Sequence, residues 1–193
     1  SKKQLSQLAV KPMVMSLASN DVVAIADDGN WTPHNSYPIF STYVDERISQ
    51  IDSNKNITVD SSQVNITQEA NSQFVPFEMD RYYDGIDLVN MEITVHFINS
   101  NGHGWSKPVN VKYNNNKIRF AWLVDNKATS AEGRLKFEIH ADGIITDTKS
   151  NVYSYRWKTK STDSFNVLKS ICHDTDCNNA IVVDDDWVKE IIE

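Results

Sequence analysis

The chain is short of the residues that mark most specialised classes. Its 193 residues include only two cysteines, six glycines and five prolines. So few glycines and prolines exclude a fibrous or low-complexity chain, and two cysteines exclude a disulfide-dense scaffold. No apolar run approaches the roughly 20 residues that a membrane helix needs. Positive charge is scarce too: 19 Lys and Arg face 26 Asp and Glu, for a net charge of -7. That balance disfavours bulk binding to nucleic acid, which needs a basic surface to release counterions. There is no Gly-rich phosphate loop, no His-Glu-x-x-His and no nucleophile elbow. The chain reads as a non-enzyme with no cofactor or metal, and with neither nucleic acid nor membrane as a partner. Its start, Ser1-Lys2-Lys3-Gln4-Leu5, is basic, but Gln4, Ser6, Gln7 and Lys11 interrupt any apolar stretch, so it makes a poor secretory signal. Ser1 is the residue expected after removal of an initiator Met.

What is present is strand patterning. Hydrophobic residues make up 40% and charged residues 23% of the chain, which suits one well-buried domain. Met91-Glu92-Ile93-Thr94-Val95-His96-Phe97 alternates strictly, as a strand with one buried and one wet face does. Val109, Val111 and Tyr113 alternate up to Asn114-Asn115-Asn116, a hairpin turn expected to use the tolerance of Asn for positive φ. Ile118, Phe120 and Trp122 alternate with Lys117, Arg119 and Ala121. Leu135, Phe137 and Ile139 alternate with Arg134, Lys136 and Glu138, and Tyr153, Tyr155 and Trp157 with Ser154, Arg156 and Lys158. Further strands are expected at Ile39–Val44, Ile57–Val59, Val64–Ile66 and Phe74–Met79, with Phe165, Val167 and Ile171 closing the series. Short strands spaced by polar turns, with no long amphipathic helix between them, predict an all-β antiparallel sandwich over residues 28–171.

Both ends read differently. Residues 1–27 form an apolar N-terminal arm with Leu5, Leu8 and Val10 ahead of Pro12. Residues 172–193 form an acidic tail whose Asp184-Asp185-Asp186 caps a short C-terminal helix. Trp187, Val188, Ile191 and Ile192 give that helix one apolar stripe. Leu5, Leu8, Val10, Trp187 and Ile191 are therefore the candidate assembly contacts. Each end either docks on a partner or packs on its own domain. Cys172 and Cys177 bracket His-Asp-Thr-Asp; they are read as two ordinary thiols or a local disulfide, since the spacing matches no common zinc site.

Candidate chemistry elsewhere is sparse. His96 and His140 fall at polar strand positions, so a solvated strand face accounts for them. Asp84 and Asp87 supply too few oxygens for calcium; Asp84-Gly85 reads as a chain reversal, with Asp87 bonding local backbone N–H groups. Trp122 and Trp157 belong to the core. Trp105, after the loop Asn99–Gly104, is the best exposed aromatic and the candidate glycan contact, expected to form a platform with a second exposed aromatic. Lys117, Arg119, Arg134, Lys136, Arg156 and Lys158 are expected to line up on an outer face, open to solvent or to an acidic partner. Asn30-Trp31-Thr32, Asn56-Ile57-Thr58 and Asn65-Ile66-Thr67 are glycosylation sequons that matter only in a eukaryotic secretory setting.

Four strings, in order, carry a resemblance. They are Trp31-Thr32-Pro33-His34-Asn35-Ser36-Tyr37-Pro38-Ile39-Phe40-Ser41-Thr42; Phe77–Leu88 leading into Ile93–Gly102; Ile118–Leu123 with Ala131–Ile139; and Tyr155-Arg156-Trp157-Lys158-Thr159. Their order and spacing resemble the N-terminal module of tailed-bacteriophage virion proteins of the baseplate, tail and head fibre. The resemblance covers about residues 28–171. It implies an immunoglobulin-like β-sandwich that anchors a fibre or adhesin to the virion. It also implies partners among other virion proteins and a homo-oligomer, and it brings no catalytic residues. A carbohydrate-binding module that recognises a host-surface glycan is the alternative expectation.

Overall fold

The computed structural model describes residues 30–171, and the domain is all-β. The expected arm at 1–27, with Leu5, Leu8 and Val10, lies outside the described residues. So does the tail at 172–193, with Cys172, Cys177, Trp187 and Ile191. In chain order the strands are β1 (Thr32–Pro33), β2 (Ser49–Ile51), β3 (Ile57–Thr58), β4 (Asn65–Ile66), β5 (Phe74–Asp80), β6 (Tyr82–Tyr83) and β7 (Ile86–Asp87). They continue as β8 (Glu92–Asn99), β9 (Gly102–Ser106), β10 (Val109–Tyr113), β11 (Lys117–Leu123), β12 (Gly133–Thr146), β13 (Val152–Lys158) and β14 (Thr162–Val167).

Two six-stranded sheets result. Sheet one runs β9-β8-β12-β14-β4, with β13 also paired to β12; sheet two runs β1-β10-β11-β5-β2-β3. Strands β6 and β7 form a separate ribbon. The expected antiparallel order holds for most pairs, but β4 joins β14 and β2 joins β5 in parallel. These short strands reach the sheets from distant loops, so local hairpin geometry does not set their direction.

Period-2 alternation decides what is buried. Ile93, Val95 and Phe97 of β8 and Leu135, Phe137 and Ile139 of β12 point inward, as do Val75, Phe77 and Met79 of β5 and Ile118, Phe120 and Trp122 of β11. Across the gap, Phe77 meets Phe137 at 5.7 Å between ring centroids, while Trp122 meets Phe97, Phe137 and Phe165 at 5.9, 5.8 and 5.9 Å. Each such ring pair adds about 0.5–1.5 kcal/mol beyond burial, and Trp122 makes three of them to sheet one.

Several local expectations need correction. Ile39–Val44 alternates but forms no strand, and Ile39, Phe40 and Val44 are exposed. Phe40 is instead held by one side chain: its N–H donates to Asn110 Oδ1 at 3.0 Å and its carbonyl accepts from Asn110 Nδ2 at 3.1 Å. Asn110 has φ of 52° within an irregular stretch of β10, which turns its amide toward Phe40. The Asn114–Asn116 turn is present without any positive φ. Asn114 Oδ1 accepts from the N–H groups of Asn116 and Lys117, so the side chain makes the turn. Ile171 is fully exposed and does not close a strand. The Asp84-Gly85 reversal does use the left-handed region, at φ of 49° and 81°, and joins β6 to β7.

The 14-residue β12 positions everything that follows. Its first part is flanked by β8 and β14. The last β8 pair is Asp142 with Glu92, and beyond it, among the described residues, only β13 accompanies β12. Thr159 joins the two regimes: its N–H donates to the Ile139 carbonyl, and its Oγ1 accepts from the Ile139 N–H, both at 2.9 Å.

Candidate functional site

The outer face of sheet one gathers His96, Glu138, His140 and Lys158 into one group of titratable side chains. Opposed residues in antiparallel strands share a face. Register therefore sets Trp105 beside His96, His96 beside Glu138, and His140 between Thr94 and Lys158. His96 and His140 are diagonal neighbours, and their rings stack at 3.7 Å with 18° between planes. Trp105 extends the stack, 6.5 Å from His96.

His140 corrects the expectation of a solvated face, because it is buried at 6% exposure. Its alternation is outward, but His96 and its hydrogen-bonded neighbours cover it. His140 Nε2 lies 2.5 Å from Glu138 Oε2, Ser161 Oγ donates to Glu138 Oε1 at 2.6 Å, and Lys158 Nζ stands 3.4 Å from Oε2. Burial works to raise the Glu138 carboxyl, but the bonds from Ser161 and His140 and the Lys158 charge outweigh it and bring it down to about 2. An Nε2–H tautomer of His140 serves Glu138 and leaves Nδ1, which is buried without a hydrogen-bond partner. Burial lowers the His96 imidazole below its ordinary value, and the adjacent His140 adds to the drop. His96 Nε2 shares a 3.1 Å hydrogen bond with Thr94 Oγ1.

Beside this stack lies a cleft of about 220 Å³. His96, Ile98, His103, Lys136, Glu138 and Ser161 contribute to its walls. Trp105 is not one of its wall residues; it stacks on His96, which is, and 61% of its surface is exposed. Its ring neighbour among the described residues is His96 rather than the second exposed aromatic that a two-ring platform requires.

The other expected groups are taken up structurally. Lys117 pairs with Asp80 at 2.8 Å, Arg119 with Glu78 at 2.8 Å and Arg156 with Asp142 at 2.5 Å. Arg134 donates to the Asp163 carbonyl. The six cations do not line up on one face: Lys117 and Arg119 lie on sheet two and Arg134, Lys136, Arg156 and Lys158 on sheet one, and cross-strand carboxylates pair with several of them. Asp87 receives both Nε and Nη2 of Arg81, at 3.0 and 2.9 Å, and the Val89 N–H. Among the described residues, no group of three or more His, Asp or Glu is placed to hold a metal ion. No described helix is long and apolar enough to cross a membrane.

The sequence reading missed the His96–His140–Glu138 group. The signal was there, three polar residues at alternate positions of two strands, but only the β8–β12 register makes them neighbours. Comparison with family models, curated proteins and solved structures finds no match.

Proposed function

We propose that this domain is a structural module of a bacteriophage virion, an immunoglobulin-like sandwich that assembles or anchors a fibre, baseplate or capsid appendage. One observation carries the reading beyond the sequence resemblance. The far half of β12 and its partner β13 extend past β8 and β14 as a two-stranded ribbon. Among the described residues, β12 has no strand on its β8 side from Gly143 to Thr146, and β13 has none on its outer edge. Ile144 and Val152 lie on one face of this ribbon at 65% and 60% exposure. Open edges with apolar flanks are templates for strand addition by another chain. Symmetric repetition multiplies such contacts into avidity. Leu5, Leu8, Val10, Trp187 and Ile191 belong to the same proposal as further assembly contacts, with the protein itself and other virion proteins as partners.

The test is incorporation into particles. Removal of residues 1–27, or the pair Ile144→Lys and Val152→Lys, is expected to leave a folded domain that no longer enters the virion. Normal incorporation of both variants overturns the reading. So does absence of the wild-type protein from purified particles.

A further inference from the structure

We propose that the cleft bounded by β9, β8 and β12 binds one neutral pyranose unit of a glycan, with Trp105 and Ile98 as its apolar flanks and Glu138 and Lys136 as its polar anchors. This is an activity separate from assembly, on a different part of sheet one from the β12–β13 ribbon.

Charge selects the ligand class. Glu138 remains a carboxylate across the physiological range, so an anionic ligand meets a fixed negative charge in the wall. Lys136 also lines the cleft and forms no ion pair among the described residues, so a cation meets a fixed positive charge there as an anion meets Glu138. A neutral polyhydroxylated ring avoids both penalties. Its hydroxyls donate to the spare lone pairs of Glu138 and accept from the Lys136 ammonium. His103, on the edge strand, offers a third polar contact.

Shape and order point the same way. Sugars present C–H faces as well as hydroxyls, and two apolar side chains stay open among the described residues, Ile98 in the cleft wall and Trp105 beside its His96. Trp105 is 61% and Ile98 48% exposed. The polar wall is fixed before any ligand arrives. Glu138 is held by His140, Ser161 and Lys158, and His96 by its stack on His140 and its bond to Thr94. Binding therefore orders little beyond the Lys136 side chain. The cleft is small and shallow, so a single unit binds weakly and many copies on one particle strengthen the attachment.

The experiment is backbone-amide NMR of the full chain with the methyl glycosides of glucose, galactose and N-acetylglucosamine at millimolar concentration. At least one is expected to shift the amides of His96, Ile98, His103, Lys136 and Glu138 together, in a saturable way. Trp105→Ala and Lys136→Ala change exposed side chains and preserve the fold, and each is expected to weaken that binding several-fold. Glu138→Gln is expected to weaken it about tenfold, the effect of losing a charged acceptor. If none of the three probes shifts these amides, or if the shifts survive all three substitutions, the proposal is overturned. Loss of sugar binding with particle incorporation intact separates this site from the assembly reading.

Discussion

The outer faces of the two sheets are built from the same alternation and end up differently. On sheet two, residues from outside the ladder close the face. Asp45 takes Lys112 at 2.8 Å and Arg119 at 3.3 Å, and Tyr43 donates to its other oxygen at 2.9 Å. Trp31 lies under Arg119, whose Cζ is 4.4 Å from the ring centre. Burial works to raise the Asp45 carboxyl, but Lys112, Tyr43 and Arg119 together hold it below the usual range. On sheet one no such segment crosses among the described residues; Trp105 and the cleft stay open, and His140 is covered only by His96 and its own bonded neighbours. A polar alternate position thus faces away from the core, but the path of a distant loop decides whether it meets water.

The largest test removes what both faces stand on. Trp122→Ala takes out the ring that meets Phe97, Phe137 and Phe165 across the sheets, and is expected to cost about 3–5 kcal/mol in denaturant unfolding. A loss below about 1 kcal/mol would show that the sheets do not depend on each other through this residue. Next, Asp45→Ala strips a shared partner from two cations on the closed face and is expected to cost about 2 kcal/mol. An unchanged midpoint would mean that the closure of sheet two is decorative. Trp105→Ala on the open face is expected to stay within about 0.5 kcal/mol, because the indole is mostly in water.

Acidification sharpens the contrast without mutation. His96 and Asp45 are both held below their ordinary values. The stability each contributes is present above that ordinary value and is lost as pH falls through the folded one. His96 titrates first, somewhere below 6.5, and Asp45 only below 3.8. Imidazole and Trp105 indole resonances are expected to shift in the first window while the Arg119 guanidinium signals stay still. Simultaneous movement of both sets would contradict independent faces.

Much of the architecture was legible in the chain. Long alternating runs such as Glu92–Asn99 and Lys117–Leu123 became strands because each carries enough inward apolar residues to fix its register. Ser49–Ile51 was invisible, since three residues give no period, and its place beside β5 depends on tertiary packing. Ile39–Val44 misled for the opposite reason. It has the period, but the Asn110 side chain takes the place of a neighbouring strand at Phe40. The His96–His140–Glu138 group needed the β8–β12 register, which no local pattern contains.

The placement of β14 bears on how the domain carries a load. This last described strand lies between β12, which runs antiparallel to it, and β4, which runs parallel. The Asn166 and Leu168 N–H groups donate to the carbonyls of Val64 and Ile66, both at 2.8 Å. Tension drawn through residue 171 along the strand axis therefore loads both ladders at once, four residue pairs with β12 and two with β4. At the other end β1, among the described residues, is held from one side alone, by two residue pairs with β10. Among the described residues, two neighbours thus share the load at the last strand and one carries it at the first, so pulling is expected to detach the first before the last.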